Sequence, residues 1–196
     1  MVREIIKTVG ATICKDFNLQ DPLMLGVYQM SYLSLSGGPI AKTLEVDPEK
    51  GILLIGNTGM GKTVLFRVFQ KFYKDTSARF KWVSAMDLKH LEEEAGSAVV
   101  NKEYGAGLKC DLYIDNLDLI IEPHSQRHQI IWDLMNTRND LYVRQGFKTH
   151  ISSYLPKSYT HANTHESLIN MYDLHFVDTL RQMTNLIVWE GKSLRK

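Results

Sequence analysis

The chain has 196 residues, of which 44% are hydrophobic and 23% charged, and its formal net charge is +1. This length suits one compact domain with a sizeable core and argues against a second full domain. The near-neutral charge gives no general attraction to nucleic acid, so any such contact must come from a local patch.

The cysteine content and the N-terminus favour a cytoplasmic protein without a membrane segment. Cys14 and Cys110 are too few and too far apart to indicate a disulfide framework. The first ten residues, MVREIIKTVG, carry mixed charge and do not resemble a secretory signal, and no apolar stretch reaches transmembrane length.

Residues 1–45 are predicted to form a short helical extension before a core at 46–196. Hydrophobic periodicity predicts helices over 2–16 and 22–35, and Asp21-Pro22 separates them. Two interpretations stay open: the helices cover the sheet, or they bind a partner through apolar side chains. The apolar side chains concerned are Leu23, Met24, Leu25, Val27 and Tyr28.

The rest of the chain alternates between predicted strands and helices. The strands are expected at 51–55, 80–84, 111–115, 147–153 and 185–189, and the helices at 62–74, 86–94, 125–144, 164–171 and 174–182. This alternation predicts an α/β fold with a five-stranded, mostly parallel sheet covered by helices on both faces. The ligand of such a sheet lies outside the carboxyl ends of its strands.

The segment GILLIGNTGMGKT, from Gly51 to Thr63, reads as a buried strand that runs into a glycine-rich loop. It matches the pattern G-x-x-x-x-G-K-[ST], in which loop N–H groups surround phosphate oxygens, lysine neutralises them and a hydroxyl faces Mg²⁺. We therefore predict a P-loop that binds ATP and Mg²⁺. The predicted contacts are Gly56, Asn57, Thr58, Gly59, Met60, Gly61, Lys62, Thr63 and Val64.

A second strand, from Cys110 to Asp115, ends in a carboxylate about fifty residues later. It reads as a Walker B strand, and Asp115 is predicted to hold Mg²⁺ together with Thr63. Many ATPases place an acid next, but this chain has Asn116, which can position water and cannot take its proton. Slow hydrolysis is therefore expected, unless Asp118 or Glu122 folds back to substitute.

With both Walker elements in place, the chain from about residue 45 onward resembles the DnaC/IstB-like branch of the AAA+ ATPases. This is the family of helicase loaders and transposition helpers. The likeness is carried by FKWVSAMDLKHL after the first crossover, by NTRNDLYVRQGFKTHISSYL, and by the tail MYDLHFVDTLRQMTNLIVWEGKSLRK. The resemblance implies an AAA+ core without a separate C-terminal lid. It also implies a nucleotide switch in DNA replication or transposition, with a homo-oligomer, a replicative helicase or a transposase as partner.

The resemblance assigns further site residues, with departures from the family pattern. Ser153 lies near the sensor 1 position, where the family usually has asparagine and this chain has Tyr154. Thr179 stands at the position of the arginine finger, and Arg181 matches the arginine that is kept. Arg195 resembles the sensor 2 arginine. The predicted catalytic residues are thus Lys62, Asp115, Asn116 and Arg181, and Ser153 and Arg195 join the nucleotide contacts.

Single-stranded DNA is a further candidate partner that the resemblance suggests. The DNA-contacting insertion of initiator-type relatives would fall between residues 94 and 111, where the chain offers Lys102, Tyr104 and Lys109. A groove that follows a phosphate backbone needs more cations and more stacking rings than this segment provides.

Two other functions stay open. A non-hydrolysing, nucleotide-bound scaffold is indicated by the departures at Asn116, Tyr154 and Thr179. A small-molecule kinase shares the P-loop, but kinases of that type usually begin with the loop and carry an arginine-rich lid.

Overall fold

The computed structural model describes residues 2–14, 17, 28, 31, 46–120, 129–154, 174–189 and 193, and the structural statements concern these residues. The predicted helix at 164–171 lies outside them, as do the first four residues of the helix predicted at 125–144. Of the helix predicted at 22–35, the structure describes only Tyr28 and Ser31, both in helical conformation.

Strands and helices alternate along the described chain. The elements in order are α1 (Val2–Ile13), β1 (Gly51–Gly56), α2 (Lys62–Tyr73), β2 (Phe80–Ser84), α3 (Ala85–Ala95), α4 (Ser97–Tyr104), β3 (Asp111–Asp115), a 3₁₀ helix (Leu117–Ile120), α5 (Gln129–Gln145), β4 (Thr149–Ser153), α6 (Leu174–Met183) and β5 (Thr184–Trp189). Among the described residues, no helix is both long and apolar enough to cross a lipid bilayer.

The five strands form one sheet in the order β2-β3-β4-β1-β5, and every pair is parallel. The predicted α/β architecture is therefore confirmed. Because the strands are parallel, all their carboxyl ends lie at one edge of the sheet, where ligands of this fold class bind. β4 separates β1 from β3 and so lies between the two strands that are predicted to carry the Walker motifs.

Helices cover both faces of the sheet, as predicted. Alternate side chains of β1 point to opposite faces. Ile52 and Leu54 pack in a core layer with α1 and α2, whereas Leu53 and Ile55 pack in a second layer with α3, α4, α5 and α6. All six residues of β1 are buried, which explains why its sequence is an uninterrupted apolar run.

The structure adds one helix that the sequence pattern does not predict. α4 has eight residues, and Gly96 (φ 83°) and Gly105 adjoin its two ends. Val99 and Val100 are β-branched, which lowers helix propensity, so the segment has the local signals of a loop. Val100 is nevertheless buried in the core layer that also contains Leu53 and Ile55, and this burial outweighs the local signals.

The N-terminal region packs against the sheet at the positions that the structure describes. Tyr28 is 1% exposed, and its ring lies 6.0 Å from that of Phe69 on α2 and 6.4 Å from that of Trp189 on β5. Ile6 of α1 belongs to the same core layer. At Tyr28 the structure therefore favours the covering interpretation over a partner-binding anchor. The other predicted anchors lie outside the described residues.

Candidate nucleotide-binding site

The loop between β1 and α2 has the backbone of an anion-binding loop. Gly59 (φ 83°) and Gly61 (φ 96°) adopt the left-handed conformation, which a residue with a Cβ enters only at a cost. Gly61 directly precedes α2, and within the described residues no side chain caps this helix. The positive end of the α2 dipole therefore lies at this loop, where it favours an anion.

Helix α3 shows what a satisfied N-terminus looks like in the same chain. The hydroxyl of Ser84 accepts from the N–H of Asp87, and the carboxylate of Asp87 accepts from the N–H of Ser84. This capping box satisfies backbone N–H groups at the start of α3 with side chains, whereas no described side chain caps α2. The open N-terminus of α2 agrees with the predicted anion site.

Lys62 is held inside the loop. Its side chain is 6% exposed, and Nζ donates to the carbonyl of Gly56 at 2.5 Å and to that of Asn57 at 3.1 Å. The ammonium group therefore lies between the end of β1 and the start of α2, the position from which a P-loop lysine meets phosphate oxygens. The chemistry of these residues fits a nucleotide polyphosphate.

The remaining predicted loop residues differ in their surroundings. Met60 is buried and Val64 packs against the core layer of α2, so both can offer a ligand only their backbone N–H groups. Thr58 is exposed. At Gly56 an added Cβ would lie 2.5 Å from the carbonyl oxygen of Trp189, so the close approach of β5 also requires glycine here.

The two predicted Mg²⁺ ligands lie in contact. Asp115 ends β3 and is 5% exposed, and the hydroxyl of Thr63 donates to its Oδ2 at 3.0 Å and to its Oδ1 at 3.2 Å. Among the described residues no group of three or more acidic, histidine or cysteine side chains could hold a metal ion. One hydroxyl and one carboxylate fit Mg²⁺, which in triphosphate sites keeps several waters and binds the phosphates.

Two further side chains surround Asp115, and the sequence analysis did not identify them. Oδ1 of Asp115 accepts from the hydroxyl of Tyr113 at 2.6 Å and from that of Ser152 at 2.7 Å. Burial, followed by the charge of Asp115, raises the pKa of Tyr113 well above its usual range. The phenol therefore stays protonated and keeps its hydrogen for donation.

Asn116 follows Asp115 in a left-handed conformation, with φ 54°. Asparagine enters this region more readily than most residues, although it still carries a Cβ. Its backbone N–H donates to the hydroxyl of Ser152 at 3.0 Å, which holds the turn in place.

The carboxylate of Asp118 is turned toward the end of β4. It accepts from the N–H of Tyr154 at 2.6 Å and from the hydroxyl of Ser153 at 3.2 Å. These two bonds direct Asp118 to the predicted sensor 1 region and make it a poor substitute for the acid that Asn116 replaces. Glu122 lies outside the described residues.

Arg181 lies at the opposite edge of the sheet from the P-loop. It is near the end of α6, just before β5, and Thr184 of β5 pairs with Gly51 at the start of β1. The six residues of β1 span about 17 Å between that edge and the loop. Arg181 forms an ion pair with Asp178 at 3.1 Å. Any contact of Arg181 with a nucleotide would thus require a second copy of the chain. Arg195 lies outside the described residues.

A basic groove lies away from the segment where DNA contacts are predicted. It has a volume of about 510 Å³ and is lined by Ile13, Arg67, Gln70, Lys71, Lys74, Arg79 and Phe80. Lys74 pairs with Asp75 at 3.6 Å, and the C-terminal ends of α1 and α2 each contribute about half a negative charge. The groove has four cationic side chains, and Asp75 and the two helix ends together contribute about two negative charges. The net charge of the groove is therefore about +2.

In the predicted DNA-contacting segment, Tyr104 and Lys109 make contacts within the chain. The ring of Tyr104 is covered by the ammonium group of Lys81, which lies 4.2 Å from its centroid. Lys109 donates to the carbonyl of Ala106 at 3.0 Å. Neither side chain is arranged for stacking on a base or following a phosphate backbone.

An all-parallel five-stranded sheet with a glycine-rich loop after β1 and a carboxylate at the end of β3 defines a P-loop fold. No family model and no curated protein sequence matches the chain. Solved structures match it in fold, and among them the DnaC helicase loader superposes with a TM-score of 0.64 and 18% identity. That match covers 88% of this chain and 93% of the other.

Two further structures match at a TM-score of 0.59 and 15% identity. The match to DnaI covers 100% of this chain and 94% of that chain, and the match to AMPPCP-bound DnaA from Aquifex aeolicus covers 90% of this chain and 49% of that chain. The chain thus spans about half the length of this DnaA chain. These matches concern the fold, and the DnaC-like fold that the sequence resemblance implies is confirmed.

Proposed function

We propose that this chain binds ATP with Mg²⁺ and acts as a nucleotide-dependent switch in DNA replication, with a low intrinsic rate of ATP hydrolysis. The observation that carries the proposal is the contact of Thr63 with Asp115, beside a glycine loop that encloses Lys62. A hydroxyl, a carboxylate and an ammonium group thus converge where the uncapped N-terminus of α2 favours anions.

Each residue has a defined task in this proposal. The N–H groups of the loop and of the first turn of α2 bind the phosphates, and Lys62 neutralises the β- and γ-phosphates. Thr63 and Asp115 hold the metal ion. Bound Mg²⁺, which Thr63 and Asp115 would hold, would neutralise the negative charge that develops on the phosphates during transfer.

Slow hydrolysis is proposed because the described residues that follow Asp115 offer no evident base near the phosphates. Asn116 can orient a water molecule without deprotonating it, and Asp118 faces β4. An arginine finger contributes about 10³- to 10⁵-fold in rate. Here Arg181 would have to supply it to a neighbouring copy, so we propose that turnover requires self-association.

Calorimetry and a turnover assay test these two parts separately. The wild-type chain should bind ATP more tightly with Mg²⁺ than without, and Lys62→Ala should abolish binding. Lys89→Ala, which changes a partly exposed lysine on α3, is the matched control and should bind as the wild type does. Phosphate release per chain should rise with protein concentration. Folded wild-type protein that shows no heat with millimolar ATP and Mg²⁺ would refute the proposal.

A non-hydrolysing scaffold is the second candidate, and the left-handed Asn116 after Asp115 favours it. Tight nucleotide binding with background-level phosphate release at every protein concentration would support the scaffold. A rise in release with protein concentration that Lys62→Ala abolishes would support the switch.

We propose the partners from the similar solved structures and from the basic groove. The DnaC neighbour is a helicase loader, so a replicative helicase is the first protein partner to test, before a transposase. We place the protein in the cytoplasm, and the thiols of Cys14 and Cys110, which form no disulfide, agree with a reducing compartment.

Single-stranded DNA is the proposed ligand of the basic groove. Binding through about two phosphates should give a slope near −1.4 in a plot of log affinity against log salt concentration. Lys74→Glu and Arg79→Glu should weaken oligonucleotide binding, whereas Lys102→Glu should have a smaller effect. Equal effects of the three variants would indicate a diffuse attraction and would contradict the groove as the site.

A further inference from the structure

Two hydroxyl groups hold one oxygen of the Asp115 carboxylate. Tyr113 and Ser152 both contact Oδ1, at 2.6 and 2.7 Å, and their own oxygens lie 2.9 Å apart. The closest contact of Thr63 is instead with Oδ2, at 3.0 Å. The carboxylate therefore has one oxygen fixed by the sheet and one that faces the P-loop helix.

Strand pairing brings the three side chains to one face of the sheet. Tyr113 and Asp115 are two residues apart on β3 and so point the same way. The parallel register of β3 with β4, in which Tyr113 pairs with His150 and Ile114 with Ile151, brings Ser152 next to Asp115. Ser152 lies on the strand that separates β3 from β1, between the two Walker elements.

The position of the Tyr113 hydroxyl is fixed by the helix that carries Thr63. The ring of Tyr113 is fully buried and stacks on that of Phe66 of α2, with centroids 3.9 Å apart and an interplanar angle of 22°. Phe66 is likewise fully buried. The phenol thus has little freedom to turn away from Asp115.

We propose that Tyr113 and Ser152 are positioning residues that hold Oδ1 of Asp115 and thereby direct Oδ2 toward Thr63 and Mg²⁺. This inference rests on the proposed binding of ATP with Mg²⁺. Groups that hydrogen-bond a metal-ligating carboxylate fix its orientation, and their loss typically lowers metal affinity about 10- to 100-fold. Both hydroxyls meet that description.

Ser152 has a second task that Tyr113 lacks. A serine hydroxyl donates one hydrogen and accepts through its lone pairs. Ser152 donates to Asp115 and accepts from the N–H of Asn116 at 3.0 Å. One hydroxyl therefore anchors both the metal-facing carboxylate and the residue that follows it at the water-orienting position.

The test is the gain in nucleotide affinity that Mg²⁺ provides. Calorimetry with a non-hydrolysable ATP analogue, with and without Mg²⁺, gives this gain as a ratio of two dissociation constants. Tyr113→Phe should reduce the ratio about 10-fold or more and leave the metal-free affinity unchanged. Ser152→Ala should do the same, and Ser152→Thr, which keeps a hydroxyl, should restore most of the ratio. Tyr142→Phe and Ser77→Ala are matched controls outside the site and should match the wild type.

The two tasks of Ser152 separate at saturating Mg²⁺. Under that condition excess metal compensates for the weaker site, so Tyr113→Phe should recover more of the wild-type turnover than Ser152→Ala does. Ser152→Ala should stay slower, since the backbone of Asn116 has lost its acceptor. Equal turnover of the two variants would overturn the second task of Ser152.

Each result decides the inference. A parallel loss of affinity with and without Mg²⁺ would mean that the hydroxyls serve only folding, and an unchanged ratio in Tyr113→Phe would mean that they do not position Asp115. Either overturns the inference while the nucleotide proposal stands. No nucleotide binding by the wild-type chain would overturn both. If Ser152→Ala does not fold, Tyr113→Phe, which loses only one buried oxygen, still decides.

Discussion

Two buried ionisable side chains should give the free energy of unfolding opposing dependences on pH. Asp111, at the start of β3, is 8% exposed, and burial raises its pKa from 3.8 to about 6, against the opposing effects of the Lys148 N–H and of the charges on Lys148 and Arg138. His150, on β4, is fully buried, and burial lowers its pKa from 6.5 to about 3. Its Nδ1 accepts from the N–H of Ile52 at 3.2 Å.

The sign of each contribution follows from the direction of its shift. The pKa of Asp111 is raised on folding, so its stabilising contribution is complete below pH 3.8 and is lost as the pH rises through about 6. At about 1.4 kcal/mol per unit of pKa, this amounts to about 3 kcal/mol. The pKa of His150 is lowered, so its contribution is complete above pH 6.5 and is lost as the pH falls toward about 3, by about 5 kcal/mol.

The two contributions should nearly cancel between pH 4 and 6. Arg138 does not disturb this balance, because burial lowers its pKa only to about 10 and it stays charged throughout. The substitution Asp111→Asn removes the contribution of Asp111 to the pH dependence and leaves that of His150. The asparagine keeps a side-chain oxygen that can accept from the N–H of Lys148. Relative to the wild type, the variant should therefore become more stable by about 2 kcal/mol as the pH rises from 4 to 6.

Urea unfolding followed by tryptophan fluorescence at a series of pH values measures this difference. The slope of the unfolding free energy against pH is compared between variant and wild type. This difference removes the pH-independent cost of the substitution and the titration of all other groups. Asp140→Asn, at an exposed position on α5, should run parallel to the wild type. A parallel profile for Asp111→Asn between pH 4 and 6 would refute the assignment of the raised pKa to burial of Asp111.

Three further predictions concern packing, capping and assembly. Gly51→Ala should destabilise the chain by at least about 1–3 kcal/mol in thermal unfolding, because its Cβ would lie 1.9 Å from the carbonyl oxygen of Thr149; an unchanged melting temperature would contradict this. Ser84→Ala should cost about 1 kcal/mol through loss of the α3 cap, and Ser84→Asp should recover most of it. Arg181→Ala should keep wild-type ATP affinity and lose the rise of turnover with protein concentration; turnover identical to the wild type at all concentrations would exclude a role in a neighbouring site.

The sheet could be predicted because its strands carry strong local signals. The run from Ile52 to Ile55 is apolar and ends at the glycine loop, so one segment fixes a strand, a loop and the start of a helix. The same holds for the strand that ends at Asp115. All five strands are found close to their predicted positions, although β4 begins at Thr149 and not at residue 147.

The surroundings of Asp115 could not be predicted, because they depend on pairing between distant strands. Ser152 is 37 residues from Asp115. Adjacent residues of a strand point to opposite faces, so a shift of one residue decides whether Ser152 or Ser153 meets the carboxylate. The resemblance drew attention to Ser153, whose hydroxyl bonds to Asp118, whereas the register directs Ser152 to Asp115, the predicted Walker B aspartate.

The burial of Tyr28 has a practical consequence for anyone who shortens this protein. Deleting residues 1–45 to isolate residues 46–196 would remove the ring of Tyr28 from Phe69 and Trp189 and expose these two rings to water. The shortened chain should expose a hydrophobic patch and aggregate during purification. Trp189 lies on β5, and its carbonyl oxygen approaches Gly56 at the end of β1. The loss of packing would therefore affect the strand next to the one that leads into the glycine loop.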